Sequence, residues 1–216
     1  MIRIVHLYYD LLNLYGDSGN VKALEYHLKS SGIDFETVRH SLGDKIDLSS
    51  CDIACIGSGT EHSLMLALDD IMKYKDEIAD FKARGGYILS TGNSLELFGK
   101  GIKNGKKEKS ALGIFNYTSV YGKRVVKDVR IKTELVEDEI IGFENHSGRL
   151  DVEKDIITED NFIMTYIIGP ILVRNPQLND MIIKRILEKH PDDIDKYSPD
   201  HSLEQKAYDV FKSGMK

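Results

Sequence analysis

The chain has 216 residues, 41% of them hydrophobic and 30% charged, with a formal net charge of −6. That size and balance suit one well-cored α/β domain over residues 1–216. The acidic balance, without a Lys/Arg run interleaved with aromatics, excludes nucleic acid from the expected partners.

No apolar run approaches the roughly 18 residues needed to cross a bilayer. The start, "MIRIVHLYYD", lacks the long apolar core and small-residue cleavage site of a signal peptide. A cytoplasmic location is therefore expected. The two cysteines, Cys51 and Cys55, would lie about 13 Å apart along a strand and on one face of it, too far apart for a disulfide. They read as reduced core thiols.

"IRIVHLYY" (2–9) is apolar and β-branched and predicts a first strand. The polar loop "DLLNLYGDSGN" follows, with Asp17, Ser18, Gly19 and Asn20 as turn and cap residues. Val21, Leu24 and Leu28 recur at helical spacing, Gly32 stops that helix, and "IDFETV" predicts a second strand. "CDIACIG" (51–57) is a short continuous apolar run, which suits a strand covered on both faces. "GSGTEH" turns the chain into a helix carrying Leu64, Leu68, Ile71 and Ile78, and "YILS" (87–90) is the next strand. The β-loop-α order repeats over the first hundred residues, the signature of a doubly wound, mostly parallel sheet of flavodoxin-like type.

Lys100 to Lys109 is locally basic but rich in Gly and Asn, and reads as a solvated hairpin. From Leu112 to Ile168 the strand candidates "GIFNYTSVY", "VVKDVRIKT", "EIIGFEN" and "FIMTYIIG" come without helices between them. Such runs predict an antiparallel extension at the sheet edge or in a small second layer. One helix is expected over about 177–189 and another from about Ser202. No repeat or linker divides the chain.

In a parallel sheet the ligand crevice lies at the C-terminal strand ends. Three polar, glycine-bearing loops fall there: "LNLYGDSGN", "GSGTEH" and "STGNS". "GSG" alone lacks the full dinucleotide fingerprint, the P-loop pattern is absent, and no HExxH, CxxC or His-x-His spacing points to a metal, so neither cofactor nor metal is expected. Ser94, in Gly92-Asn93-Ser94-Leu95-Glu96, half-matches the Gly-x-Ser-x-Gly elbow. A serine nucleophile needs a base, and the late strand "TYIIGPIL" offers only Ile168 where one would sit. The plainer reading makes Ser94 a helix N-cap with Glu96 in the first turn.

"LNLYGDSGN", "IGSGTEH", "ALGIFNYTS", "IGFENHSGRL" and "TYIIGPILVRNPQLND" occur in an order that resembles the class I glutaminases akin to cobyric acid synthase. Within them the chain resembles the glutamine amidotransferase subunit of lipid II isoglutaminyl synthase, over about residues 4–180. The resemblance implies a class I glutamine amidotransferase-like fold, a Mur ligase-like partner, and a role in amidating a peptidoglycan precursor. In that family a cysteine thiolate attacks the glutamine amide, a histidine acts as base and acid, and backbone amides hold the oxyanion. The family cysteine ends the "YILS" strand; here Thr91 or Gly92 takes its place, according to where the alignment is anchored. The family histidine precedes Gly-Pro, and here that position is Ile168. The resemblance also places Gly57, Ser58 and Gly59 near the oxyanion, Gly92 and Asn93 at the corner, Arg124 in substrate handling, and Glu144-Asn145-His146 near the site or partner surface.

Three functions are therefore weighed. The first is a catalytically degenerate amidotransferase subunit, structural, regulatory or binding a small amide or amino acid. The second is an active, peptidase E-like hydrolase using Ser94 or Thr91 with His62, His146 or Glu96 as base. The third is a nucleotide or phosphate module at "GSG".

Overall fold

The computed structural model describes residues 1–215. The first half alternates strand and helix as its apolar runs require. β1 (Ile2–Leu7), α1 (Ser18–Ser30), β2 (Phe35–His40), β3 (Ile53–Ile56), α2 (Glu61–Ile71), α3 (Lys75–Ala83) and β4 (Tyr87–Thr91) follow in order. A 3₁₀ segment, Gly92–Phe98, leaves β4 and leads to the hairpin β5 (Gly101–Asn104) and β6 (Lys107–Ser110). Then come β7 (Thr118–Ile131), β8 (Ile140–Leu150), β9 (Ile156–Glu159) and β10 (Phe162–Thr165). Helices α4 (Ile171–Arg174), α5 (Pro176–Leu187), α6 (Pro191–Ile194) and α7 (Ser202–Gly214) close the chain.

Six strands form the main sheet in the order β2-β1-β3-β4-β10-β9, parallel except for β9 at the edge. Side chains alternate across it. Val5, Leu7, Ala54 and Ile56 pack on one face with Leu64 and Leu68 of α2 and Phe81 of α3. Ile2, Ile4, Ile53 and Cys55 pack on the other with Leu24 and Leu28 of α1 and Ile182 and Ile186 of α5. Each such side chain contributes about 1.5–3 kcal/mol by leaving water, against about 0–1 kcal/mol for an exposed ion pair. Packing on the two faces therefore carries the fold.

The expected antiparallel extension is a separate, mixed four-stranded sheet, β6-β5-β7-β8, antiparallel except that β5 and β7 pair parallel. The candidate strands "GIFNYTSVY" and "VVKDVRIKT" are not two strands. Residues up to Tyr117 are irregular, and the rest join as the single long β7, with a bulge between Tyr121 and Val125. The polar "GKR" run inside β7 looks like a break because much of this strand faces solvent. The sheet meets the main one where Glu144 bridges Ile167 and the Ile168 N–H donates to the Phe143 carbonyl at 3.0 Å. Gly142 permits this approach, since a Cβ there would lie 2.4 Å from Ile167 Cγ2.

The cysteines depart from expectation. Cys51 precedes β3, so strand alternation does not govern it. It packs on the α2/α3 face, whereas Cys55 packs on the opposite one. Both are free and buried. Burial pushes the Cys51 thiol up to about 12 and raises that of Cys55 further, so neither is a thiolate near neutral pH. Among the described residues no helix is long and apolar enough to cross a membrane.

Candidate functional site

The corner after β4 is built on one residue. Thr91 is still extended (φ −118°, ψ 147°), and Gly92 adopts φ +63°, a left-handed conformation that glycine enters without strain. In a nucleophile elbow the reactive side chain stands on the strained residue between strand and helix, the place Gly92 holds here. A Cβ on Gly92 would lie 2.3 Å from Ser58 Cβ and 3.2 Å from Ile168 Cγ2. The Gly92 N–H donates to the Ile167 carbonyl at 2.9 Å, which ties the corner to the late strand.

Beneath the corner lies Asp17, 2% exposed. Its carboxylate accepts from the Ser58 hydroxyl at 2.7 Å, the Thr91 hydroxyl at 2.8 Å and the Gly169 N–H at 3.3 Å. One buried carboxyl group thus joins the starts or ends of four segments, and its three donors offset its burial. Gly57 leaves room for it, since a Cβ there would fall 2.4 Å from Asp17 Cβ. Read along the chain, Asp17 looks like a helix cap. It does precede α1, yet its side chain makes no cap hydrogen bond. Nothing local in the sequence reveals its partners, which lie 41, 74 and 152 residues away.

Asn93 pairs with the backbone of Gly59. Its Oδ1 accepts from the Gly59 N–H, and its Nδ2 donates to the Gly59 carbonyl, both at 3.0 Å. The amide of the "GSG" loop is therefore already bonded within the protein. Ser94 is not an N-cap. It is fully buried in the first turn of the 3₁₀ segment, its hydroxyl 2.7 Å from the Ser90 hydroxyl, 2.9 Å from the Thr91 carbonyl and 3.3 Å from the Ile56 carbonyl. A 3₁₀ turn places residue i+3 over residue i, which brings the Ser94 side chain back to the Thr91 carbonyl.

Above the corner opens a cavity of about 220 Å³, lined in part by Ser58, Gly59, Asn93, Glu96, Arg124, Asn145, His146 and Ile168. The exposed Arg124 Nε donates to Asn145 Oδ1 at 2.7 Å, and Asn145 Nδ2 donates to the Tyr15 hydroxyl at 3.0 Å. Glu96 is 1% exposed. Burial pushes its carboxyl up to about 8, although hydroxyls of Ser119, Tyr121 and Tyr166 partly hold it down. Its Oε2 has no hydrogen-bond partner. Gly148 lies so close that a Cβ there would meet Glu96 Oε1 at 2.2 Å. His146 stacks on Tyr166, with centroids 3.8 Å apart and planes 7° from parallel, and its Nδ1 lies 2.6 Å from the Gly148 carbonyl. Burial pushes the Glu144 carboxyl up, but His146 and Lys127 beside it outweigh that, leaving it below the usual range.

The model of the CobB/CobQ-like glutamine amidotransferase domain matches residues 3–166. The chain belongs to this family. It is 28% identical to subunit GatD of the glutamine-hydrolysing lipid II isoglutaminyl synthase from Streptococcus pneumoniae, over 87% of this chain and 81% of that protein. It is also 28% identical to the Staphylococcus aureus subunit of the same name, over 97% of this chain and 94% of that one. A crystal structure of a glutamine amidotransferase superposes with a TM-score of 0.51 at 17% identity, covering 87% of this chain and 98% of that one, a likeness of fold.

This CobB/CobQ-like domain brings Gly57, Ser58, Gly59, Thr91, Gly92, Asn93 and Ile168 together at the strand ends, with Arg124 reaching in from β7. His62 stands exposed on α2 and is not among the cavity-lining residues. Among the described residues no imidazole hydrogen-bonds to Thr91 or Ser94. Neither hydroxyl lines the cavity.

Proposed function

We infer that this chain is an amidotransferase-type subunit, akin to the isoglutaminyl synthase relatives, that keeps the family fold and pocket but does not hydrolyse glutamine. Acyl transfer from glutamine needs a nucleophile, a base within reach and free donors for the oxyanion. Gly92 offers no side chain, Ile168 offers no proton acceptor, and the Gly59 amide is engaged by Asn93. The observation that carries this reading is the filled space at the corner, where Ser58 and Ile168 occupy what a side chain on Gly92 would need.

What remains is a polar pocket. The Arg124 guanidinium, the Asn145 amide and the Glu96 carboxyl suit a small amide or amino acid carrying both charge and hydrogen-bonding groups. By analogy with its relatives, the chain acts as a structural, regulatory or ligand-binding subunit beside a Mur ligase-like partner in peptidoglycan precursor amidation. The hydrolase alternative is weakened by the burial of Thr91 and Ser94 away from the cavity, without an imidazole beside either. The phosphate alternative is weakened by Asn93, which holds the "GSG" amide.

Co-expression with the Mur ligase-like protein of the same genome tests the reading. A stable complex that amidates lipid II with free ammonia, but not with glutamine, is expected. Failure to associate sinks the subunit assignment, and glutamine-driven amidation sinks the loss of catalysis.

A further inference from the structure

The helices α1 and α5 and the N-terminal end of α7 bring two histidines and two carboxylates together. We propose that His27, His201 and Glu204 form a site for a divalent transition metal of the zinc class, with Asp180 orienting one ligand from outside. Glu204 faces both imidazoles, with Oε1 3.2 Å from His27 Nε2 and Oε2 3.8 Å from His201 Nδ1. One ligand atom from each of the three residues falls within 4.8 Å of the others. Zinc bonds of about 2.0–2.2 Å in a tetrahedron set neighbouring ligand atoms about 3.3–3.5 Å apart. The His27–Glu204 pair already has that separation. His201, the residue before α7 with a side chain 22% exposed, supplies the third ligand.

The unpaired nitrogens suit a metal. His27 is 4% exposed with its Nε2 toward Glu204, and neither ring nitrogen of His201 has a hydrogen-bond partner. Buried polar atoms in natural proteins are rarely left this way. Asp180 Oδ1 stands 3.5 Å from His201 Nε2, while its Oδ2 is held by Lys184 at 2.7 Å. A small approach of the two would form the outer carboxylate–imidazole bond that fixes which ring nitrogen faces a metal. Two imidazoles and one carboxylate leave a fourth position on the solvent side for water. The consequence is structural: α7 buries only Tyr208 among its own residues, and a bound ion would staple it to α1.

The proposal does not depend on the amidotransferase reading. The full chain, stripped with a chelator, is titrated with Zn²⁺ by calorimetry and thermal melting, and with Co²⁺ by visible absorption. One saturable equivalent, a raised melting temperature and the intense visible bands of four-coordinate Co²⁺ are expected. His201→Ala and Glu204→Gln change partly exposed side chains that the fold tolerates, and each abolishes the bands and the melting shift; His62→Ala, on the exposed face of α2, leaves both intact. Absence of saturable binding overturns the site, as does binding that survives unchanged in His201→Ala.

Discussion

Gly92 and Ile168 meet at the corner: a Cβ on the glycine would stand 3.2 Å from Cγ2 of the isoleucine. On the glutaminase resemblance, the nucleophile is expected at Thr91 or Gly92 and the base at Ile168. Gly92 and Ile168 are matched to each other in shape, an apolar side chain beside a residue with none. Restoring one position alone would leave the other closed.

Restoring both meets a further obstacle. The double variant Gly92→Cys/Ile168→His places a β-carbon 2.3 Å from Ser58 Cβ, on a residue whose φ of +63° costs a non-glycine about 1–2 kcal/mol. It is expected to melt below the parent and release no ammonium. A double variant as stable as the parent would show that the corner is not filled as described.

Asp17 is expected to matter for stability rather than chemistry. Asp17→Ala strips the acceptor from two hydroxyls and one amide. Each buried donor left alone costs about 1–3 kcal/mol, so the loss in urea unfolding should reach about 3 kcal/mol or more. Arg124→Ala, at an exposed position, should stay within about 0.5 kcal/mol of the parent. Similar values for the two variants would remove Asp17 from its central place.

Asn93→Ala breaks both bonds to Gly59 and frees that amide. At about 0.5–1.5 kcal/mol per bond, the expected cost is about 1–3 kcal/mol. Hydrogen exchange read by mass spectrometry should show faster exchange in the peptide containing Gly59. Unchanged exchange there would mean that the side chain does not protect the loop.

Glu96 gives stability a pH dependence of defined sign. Its carboxyl titrates at about 8 in the folded protein against about 4.5 when free, so the folded state holds the proton more tightly. Its contribution is fully favourable below about 4.5 and is lost as pH rises through about 8. Glu96→Gln should therefore melt closer to the parent at acidic pH, rise increasingly above it between about pH 4.5 and about 8, and keep a constant margin at higher pH. A stability difference independent of pH would show that the carboxyl is not held protonated.

Much of this was legible from residue order. The short apolar runs "CDIACIG" and "YILS" mark buried parallel strands because they are covered on both faces, and β3 and β4 lie in the middle of the sheet. The three polar loops converge because parallel strands deliver their C-terminal ends to one edge. Long-range pairings were not legible. Asp17 sits in a stretch that reads as an ordinary cap, and Asn93 in one that reads as an ordinary turn. Their partners are chosen by the sheet order, which places the loops after β1, β3, β4 and β10 side by side. Ser94 was misread as a cap because the corner continues as a 3₁₀ turn, which folds its hydroxyl inward. The metal-ligand candidates escaped motif search because His27 and Glu204 come from helices at opposite ends of the chain.

The account stands or falls most directly on ammonium release from glutamine labelled with ¹⁵N at its amide, measured with the purified chain alone and with a co-expressed Mur ligase-like protein. No labelled ammonium above the protein-free rate is predicted in either case, and Thr91→Ala and Ser94→Ala should change nothing. Steady release that scales with protein and disappears in either variant would contradict it.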